Sequence, residues 1–365
     1  MKRNIAVIFG GVSCENEISV ITGTMAANVL KSGGDTVIPL YISQQGDLYT
    51  GDGLADINNF KNEKYLAFPR AVIVKGGVYV LSKRGRPKKF VKADVALNCC
   101  HGGFGEGGGV SGLFALNGIP LASAGMFESA AFMDKYYTKL VLSSLGVKVA
   151  PYVYMREING FSEVEELGFP VIVKPAKLGS SIGIEIANDM SELETAVMSA
   201  FFYDDGVLCE KYLEERREIN CAAYYSEGKV ITSECEEAVS CGDILSYDDK
   251  YAGGGKSVLP ADIPEAVSNE IKAITANVYS KLNMRGIVRF DYILSGGAIY
   301  LSEVNTVPGS LSYYLLSSGF KDFYPVLQAV IIQALDDYKR GSDKKILNTG
   351  ILNNLPSNSC KFGRK

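Results

Sequence analysis

Apolar residues arrive along this chain first in short unbroken runs and later in longer alternating ones. Residues 4–9 (NIAVIF) read as a buried parallel strand, the polar stretch 10–17 as a loop, and 18–31 as a helix. Residues 36–42 predict a second strand with an extended insertion after it. Residues 94–100 (DVALNCC) predict another, running into a glycine-rich loop and a helix over 111–117. Strand, loop and helix in repetition predict a parallel α/β sheet, whose ligands gather at the carboxyl ends of its strands.

Near residue 130 the rhythm changes. The pattern predicts a helix over 133–145, a short strand over 170–175 (PVIVKP) entering a glycine and serine loop, a helix over 192–202 and a strand over 207–213. Two longer runs follow, NCAAYYSEGKVITSE and FDYILSGGAIYLSEVN, turning at Glu227 and Gly228 and at Gly296 and Gly297. Both read as β-hairpins. Helices over 265–281 and 324–338 complete the chain, and 341–365 is a polar, patternless tail. The class is α/β in front and α+β overall.

Composition narrows the function. A net charge of −4 offers no electrostatic footprint for nucleic acid or an anionic membrane. The basic N-terminus precedes an apolar run of only about five residues, too short for a secretory core, so it reads as the first strand. No apolar stretch approaches the roughly 20 residues of a membrane span. The cysteines at 14, 99, 100, 209, 221, 235, 241 and 360 show no CxxC spacing, and a single histidine is present. Free, mostly buried thiols in a reducing cytoplasm are the expectation.

Candidate chemistry concentrates on the second hairpin. Strand alternation points Arg289 and Asp291 to one face, and Glu303 with Asn305 likewise. Two carboxylates and an amide oxygen are hard ligands suited to Mg²⁺ shared with phosphate oxygens, though an Arg–Asp ion pair on a surface hairpin has the same pattern. Thr306-Val307-Pro308-Gly309 adds a rigid turn beside them. Lys174 and the loop through Gly179, Ser180, Ser181 and Gly183 follow a strand and offer ammonium, hydroxyl and backbone N–H donors to phosphate, without the spacing of a Walker A loop. Glu15 and His101 lie in loops after N-terminal strands and could meet at one pocket, as an ammonium anchor and an orienting or proton-carrying group. A helix-capping glutamate and a satisfied loop histidine are the plainer alternative.

Two resemblances to nucleotide loops fail on inspection. Gly253-Gly254-Gly255-Lys256-Ser257 has Lys250 where a P-loop needs its first glycine, and Pro260 where a helix should begin. It reads instead as part of a lid over 243–256, with Lys250 and Tyr251 as its contacts. Gly103–Gly108 matches GxGxxG, but Glu106 stands inside the turn that would hold pyrophosphate.

Together these segments resemble the D-alanine–D-alanine ligase family of the ATP-grasp fold. The resemblance covers residues 4 to about 335, and its motifs stand in the family's order. They are GGVSCENEIS at 10–19, HGGFGEGGGVSG at 101–112, MDK at 133–135, KPAKLGSSIGI at 174–184, EKYL at 210–213, KY at 250–251, RFD at 289–291 and EVNTVPG at 303–309.

The resemblance implies an N-terminal Rossmann-like α/β substrate domain (1–130), a central ATP-grasp subdomain (131–217), a C-terminal one with a metal site (218–340) and a flexible tail (341–365). ATP would lie between the central and C-terminal units. By position, Asp291, Glu303 and Asn305 match the ligands of two Mg²⁺ ions, Mn²⁺ being an admissible replacement. Lys135, Lys174 and Lys250 match phosphate-contacting lysines, with Ser181 in the same loop. Glu210, Lys211 and Leu213 match the adenine-flanking segment, and Glu218 the ribose contact, although one extra residue separates it from Glu210. Glu15 would anchor the first substrate's ammonium, with Ser180 and Tyr251 linked to it on lid closure. Arg289 and the Gly309 N–H match an oxyanion hole, and His101, Tyr314 and Leu315 fall at substrate positions. The implied reaction joins two amino acids, D-alanine to D-alanine, through an acyl-phosphate for cell-wall precursors, in the cytoplasm and with a homodimer as the family's habit.

The departures bear on the acceptor. The family's GEDG is here Glu106-Gly107-Gly108-Gly109, a usual glutamine is Ser111, and PGMTxxSL becomes Pro308-Gly309-Ser310-Leu311-Ser312-Tyr313-Tyr314-Leu315. Tyr314 thus replaces a serine that would hold the second substrate's carboxylate. Tyr251 is kept and the lid carries no histidine, which favours an amine over a hydroxy acid. A D-serine acceptor, or a non-catalytic nucleotide-binding module, are the alternatives.

Overall fold

The computed structural model describes residues 2–239, 256–343, 349–350 and 353 of the chain. The expected calls on Lys250, Tyr251 and the lid lie outside these residues, as does most of the tail.

The first sheet grows around Asn4–Gly10, whose apolar run is buried on both faces, as a parallel strand covered by helices requires. It pairs in parallel with Thr36–Ile42 on one side and Val95–Asn98 on the other, and Leu121–Ala122 extends the sheet. Leu48–Thr50 adds an antiparallel edge. Helix Asn16–Ser32 crosses over from the first strand to the second. The insertion after the second strand holds its own antiparallel sheet of Ala71–Val74, Gly77–Leu81 and Pro87–Lys92.

The helix expected over 133–145 is Lys135–Ser144, and a helix the pattern did not predict, Met126–Met133, precedes it. Asp134 separates them because its carboxylate accepts the N–H groups of Tyr136 and Tyr137, capping the second helix. Beyond it lies a four-stranded antiparallel sheet in the order Glu185–Ala187, Val171–Pro175, Val207–Lys211, Tyr152–Met155. A third sheet contains both expected hairpins: Arg217–Ser226 with Lys229–Thr232, and Val288–Ser295 with Ala298–Asn305.

The last described helix, Phe320–Ser342, starts earlier and ends later than its sequence pattern and packs on Arg217–Ser226 of the third sheet as well as on the first sheet. Its Phe323, Leu327 and Ile331 are fully buried in one core with Ile5, Val7 and Leu30. Tyr324 and Gln328 both donate to Asp35, at 3.0 and 2.8 Å. Six described cysteines are unpaired, and five of them are buried. Among the described residues no helix is long and apolar enough to cross a membrane.

Candidate active site

The three sheets and their loops enclose a cavity of about 520 Å³. Its lining includes Glu15, His101, Lys135, Lys174, Ser180, Ser181, Glu210, Glu218, Arg289, Asp291, Glu303, Asn305, Gly309 and Tyr314, all of them expected from the sequence at chemical or substrate positions. Lys211, Leu213 and Leu315 are not among the lining residues. Lys211 donates its N–H to Pro151 O at 2.9 Å and its ammonium to Leu167 O at 2.8 Å, while Leu213 packs with Ala150 and Ile293.

On the hairpin, Arg289 stands opposite Asn305 and Asp291 opposite Glu303, so the alternation seen in the sequence becomes one polar face. Arg289 grips Asp291 with two hydrogen bonds, Nε to Oδ1 at 2.7 Å and Nη2 to Oδ2 at 2.8 Å. The Asn305 amide donates to the same Oδ2 at 2.9 Å. Burial alone would lower the Arg289 pKa, but the Asp291 carboxylate holds it well above its ordinary value. The third nitrogen, Nη1, lies 3.5 Å from the Tyr314 hydroxyl.

The loop after Val171–Pro175 faces this hairpin. Ser180 and Ser181 adopt left-handed φ values of 55° and 58°, and Ser180 donates its hydroxyl to Glu15 Oε1. The Glu15 carboxylate fits between two glycines. A Cβ on Gly179 would lie 2.9 Å, and one on Gly102 2.6 Å, from its Oε2, so side chains at those positions would expel it. Lys135 reaches the same loop, donating to Leu178 O at 2.5 Å.

Lys174 and Glu210 lie on one face of adjacent antiparallel strands, with Ile172 opposite Glu210. The Lys174 ammonium sits 2.8 Å from Glu210 Oε2, and Lys139 sits 2.8 Å from Oε1. Burial would push the Glu210 carboxyl up, but Lys174 and Lys139 together hold it at about 2. Lys139 was missed in the sequence. Its available signal was its place one helical turn after Lys135, on the same helix face.

His101 is 4% exposed. Its Nε2 lies 2.7 Å from the Thr22 hydroxyl, which also accepts the Ser310 N–H at 3.0 Å. Burial, opposed by a backbone contact to Val307, lowers its pKa to about 4, so it is a neutral ring at pH 7. A neutral histidine held by Thr22 fits the satisfied loop histidine better than the proton carrier. Glu106, read in the sequence only as a misfit within a glycine run, accepts the Gly102 N–H at 2.9 Å and the Val307 N–H at 3.3 Å. Burial raises its carboxyl to about 7. These contacts fasten the turn carrying Gly309, in which Ser310, Leu311 and Ser312 all hold φ near +50°. No atom lies within 4 Å of the place a Gly309 Cβ would occupy.

A carboxylate paired with a hydroxyl, ammonium groups and hard oxygens lining one cavity suit transfer of a phosphoryl group between bound molecules. Comparison with known proteins points the same way. Residues 4–124 match the family described as D-ala D-ala ligase N-terminus, and residues 141–322 the one described as D-ala D-ala ligase C-terminus. The D-alanine--D-alanine ligase of Thermosipho africanus is 36% identical, over 94% of this chain and 95% of that protein. The crystal structure of D-Alanine-D-Alanine Ligase from Helicobacter pylori superposes with a TM-score of 0.73 at 27% identity, covering 90% of this chain and 98% of that one. The VanG D-Ala:D-Ser ligase from Enterococcus faecalis gives 0.77 at 25%, covering 92% and 100%. Full-length likeness in sequence and in shape leads to one conclusion: the chain belongs to the D-alanine–D-alanine ligase family and has the ATP-grasp fold.

Proposed function

We propose that this chain is an ATP-dependent, ADP-forming ligase that joins D-alanine to D-alanine through an acyl-phosphate, for peptidoglycan precursor synthesis. The observation that carries the reading is that Lys135, Lys174, Asp291, Glu303 and Asn305, far apart in the sequence, all line one cavity.

Each residue has a role that follows from its chemistry. Glu15, steadied by Ser180, binds the ammonium of the first amino acid. The carboxylate oxygen of that amino acid then attacks the γ-phosphorus of ATP and ADP leaves, while Lys135 and Lys174 neutralise the phosphate oxygens. The second amine, having lost a proton, attacks the acyl carbon and phosphate departs. Arg289 and the Gly309 N–H stabilise the tetrahedral oxyanion, an effect of roughly 3–4 kcal/mol per donor. Glu210 and Glu218 border the nucleotide end; the roles expected for Lys250 and Tyr251 fall outside the described residues.

The donor set fits a divalent cation. Asp291 and Glu303 face each other across the hairpin, and the Asn305 amide nitrogen is turned to Asp291 Oδ2, so the hard oxygens a cation would take are the Asn305 carbonyl and the two carboxylates, with Arg289 sharing Asp291. Two Mg²⁺ ions held by Asp291, Glu303 and Asn305 would supply charge neutralisation at the phosphates.

Tyr314 borders the acceptor end with its hydroxyl beside Arg289, and we assign Tyr314 to the acceptor's carboxylate. ATP dependence and unpaired buried thiols support a cytoplasmic enzyme. Phe104, Leu116 and Phe127, exposed on neighbouring helices, support a homodimer.

The test is incubation with ATP, Mg²⁺ and D-amino acids singly and in pairs, reading phosphate release and product mass. D-Alanyl-D-alanine with one phosphate per peptide is expected. Turnover only with D-serine as acceptor reassigns the second substrate, and no phosphate release with any D-amino acid ends the proposal. The Asp291→Asn variant separates a ligase from a non-catalytic binder: turnover should fall by about 10²-fold or more, and EDTA should abolish it.

A further inference from the structure

Three charged groups of the central unit are buried together: Lys139, Glu210 and Lys174, with side chains 1%, 4% and 7% exposed. One carboxylate with two ammonium groups leaves the cluster one positive charge in excess, next to a cavity that we read as a triphosphate site. The two lysines are not equivalent. Lys174 lines the cavity, whereas Lys139 lies behind it. Lys139 is also held elsewhere, 3.4 Å from Ala150 O and 5.3 Å from the centre of the Tyr152 ring.

For Lys174 to reach a phosphate oxygen, its ammonium has to turn away from Glu210. Were Lys174 the sole partner, each such movement would strand an ionised carboxylate in the interior, and the pair would lock instead. A second cation on the other carboxylate oxygen removes that penalty. We propose that Lys139 is a positioning residue, the standing counter-ion of Glu210, and that it makes Lys174 exchangeable between Glu210 and a nucleotide phosphate. The inference rests on the reading of Lys174 as a phosphate-contacting group.

Steady-state kinetics of the full-length enzyme test it. The Lys139→Met variant should raise the KM for ATP about tenfold or more while kcat changes less than about threefold. Inhibition by AMP, which lacks the outer phosphates, should be unchanged. In the Glu210→Met background no carboxylate remains to hold Lys174, so adding Lys139→Met there should leave the KM for ATP within about threefold of that of Glu210→Met alone. An unchanged KM in the single variant, an equal weakening of AMP, or a further rise of about tenfold when Lys139→Met is added to Glu210→Met overturns the proposal. If Lys139→Met alone does not fold, the comparison in the Glu210→Met background decides. Lys174→Met serves as the control: if it leaves the KM for ATP unaltered, the phosphate reading of Lys174 fails first. If it raises the KM and Lys139→Met does not, only the counter-ion role fails.

Discussion

His101 and Glu106 meet the same Val307 backbone from one loop, yet they shift stability with pH in opposite directions. His101 has a folded pKa of about 4, below the ordinary 6.5. The unfolded chain therefore binds its proton first, and stability is lost as pH falls from about 6.5 through about 4. Glu106 is raised to about 7 from 4.5, so the folded state binds the extra proton, and its contribution is lost as pH rises from about 4.5 through about 7. Each effect amounts to about 3 kcal/mol at full extent. Urea unfolding across pH 4–8 should show the acid-side decline flattened in His101→Gln and the alkaline-side decline flattened in Glu106→Gln. Slopes indistinguishable from the parent would remove these two groups as the source. At this scale the sequence exposes a residue's direction on a strand, as for Arg289 and Asp291, because alternation is local. It does not expose Lys139 or Glu106, whose importance comes from partners far along the chain.

Between residues and the whole molecule, elements with strong local punctuation were legible. Both hairpins turn where a glycine follows a glutamate or another glycine, and the parallel strands stand where unbroken apolar runs placed them. The helix beginning at Lys135 was legible, but its cap, Asp134, and the helix before it, Met126–Met133, were not read from the sequence. Removing that cap in Asp134→Ala should cost about 1 kcal/mol in thermal or chemical unfolding. A loss below a few tenths would mean that packing, not the cap, starts the helix. The small sheet of the insertion was not legible. Its strands are short, Val72, Tyr79 and Phe90 are exposed, and Pro87–Lys92 is rich in lysine, so neither face carries a continuous apolar signal.

Across the molecule, the active-site turn and the ends of the chain share one core. Val307 and Leu311, which flank Gly309, are buried with Phe9, Leu97 and Phe323. Ligand-bearing elements from the third sheet are thus fixed against the first sheet by packing as well as by the Thr22 and Glu106 hydrogen bonds. Long-range closure of this kind follows from tertiary packing and leaves no periodic trace at either end. Leu327, with no exposed surface, should lose about 2–5 kcal/mol on truncation to alanine. Its unfolding should remain cooperative with that of the N-terminal sheet, read by amide exchange at Ile5–Phe9. Protection there that survives unaltered would argue that the two are independent.

The joining of the last helix to the first strand also sets an order in time. During synthesis Asn4–Gly10 leaves the ribosome long before Phe323, Leu327 and Ile331 exist, so that sheet face is only partly covered, by Asn16–Ser32, for most of translation. The strand is made early and its packing is completed late.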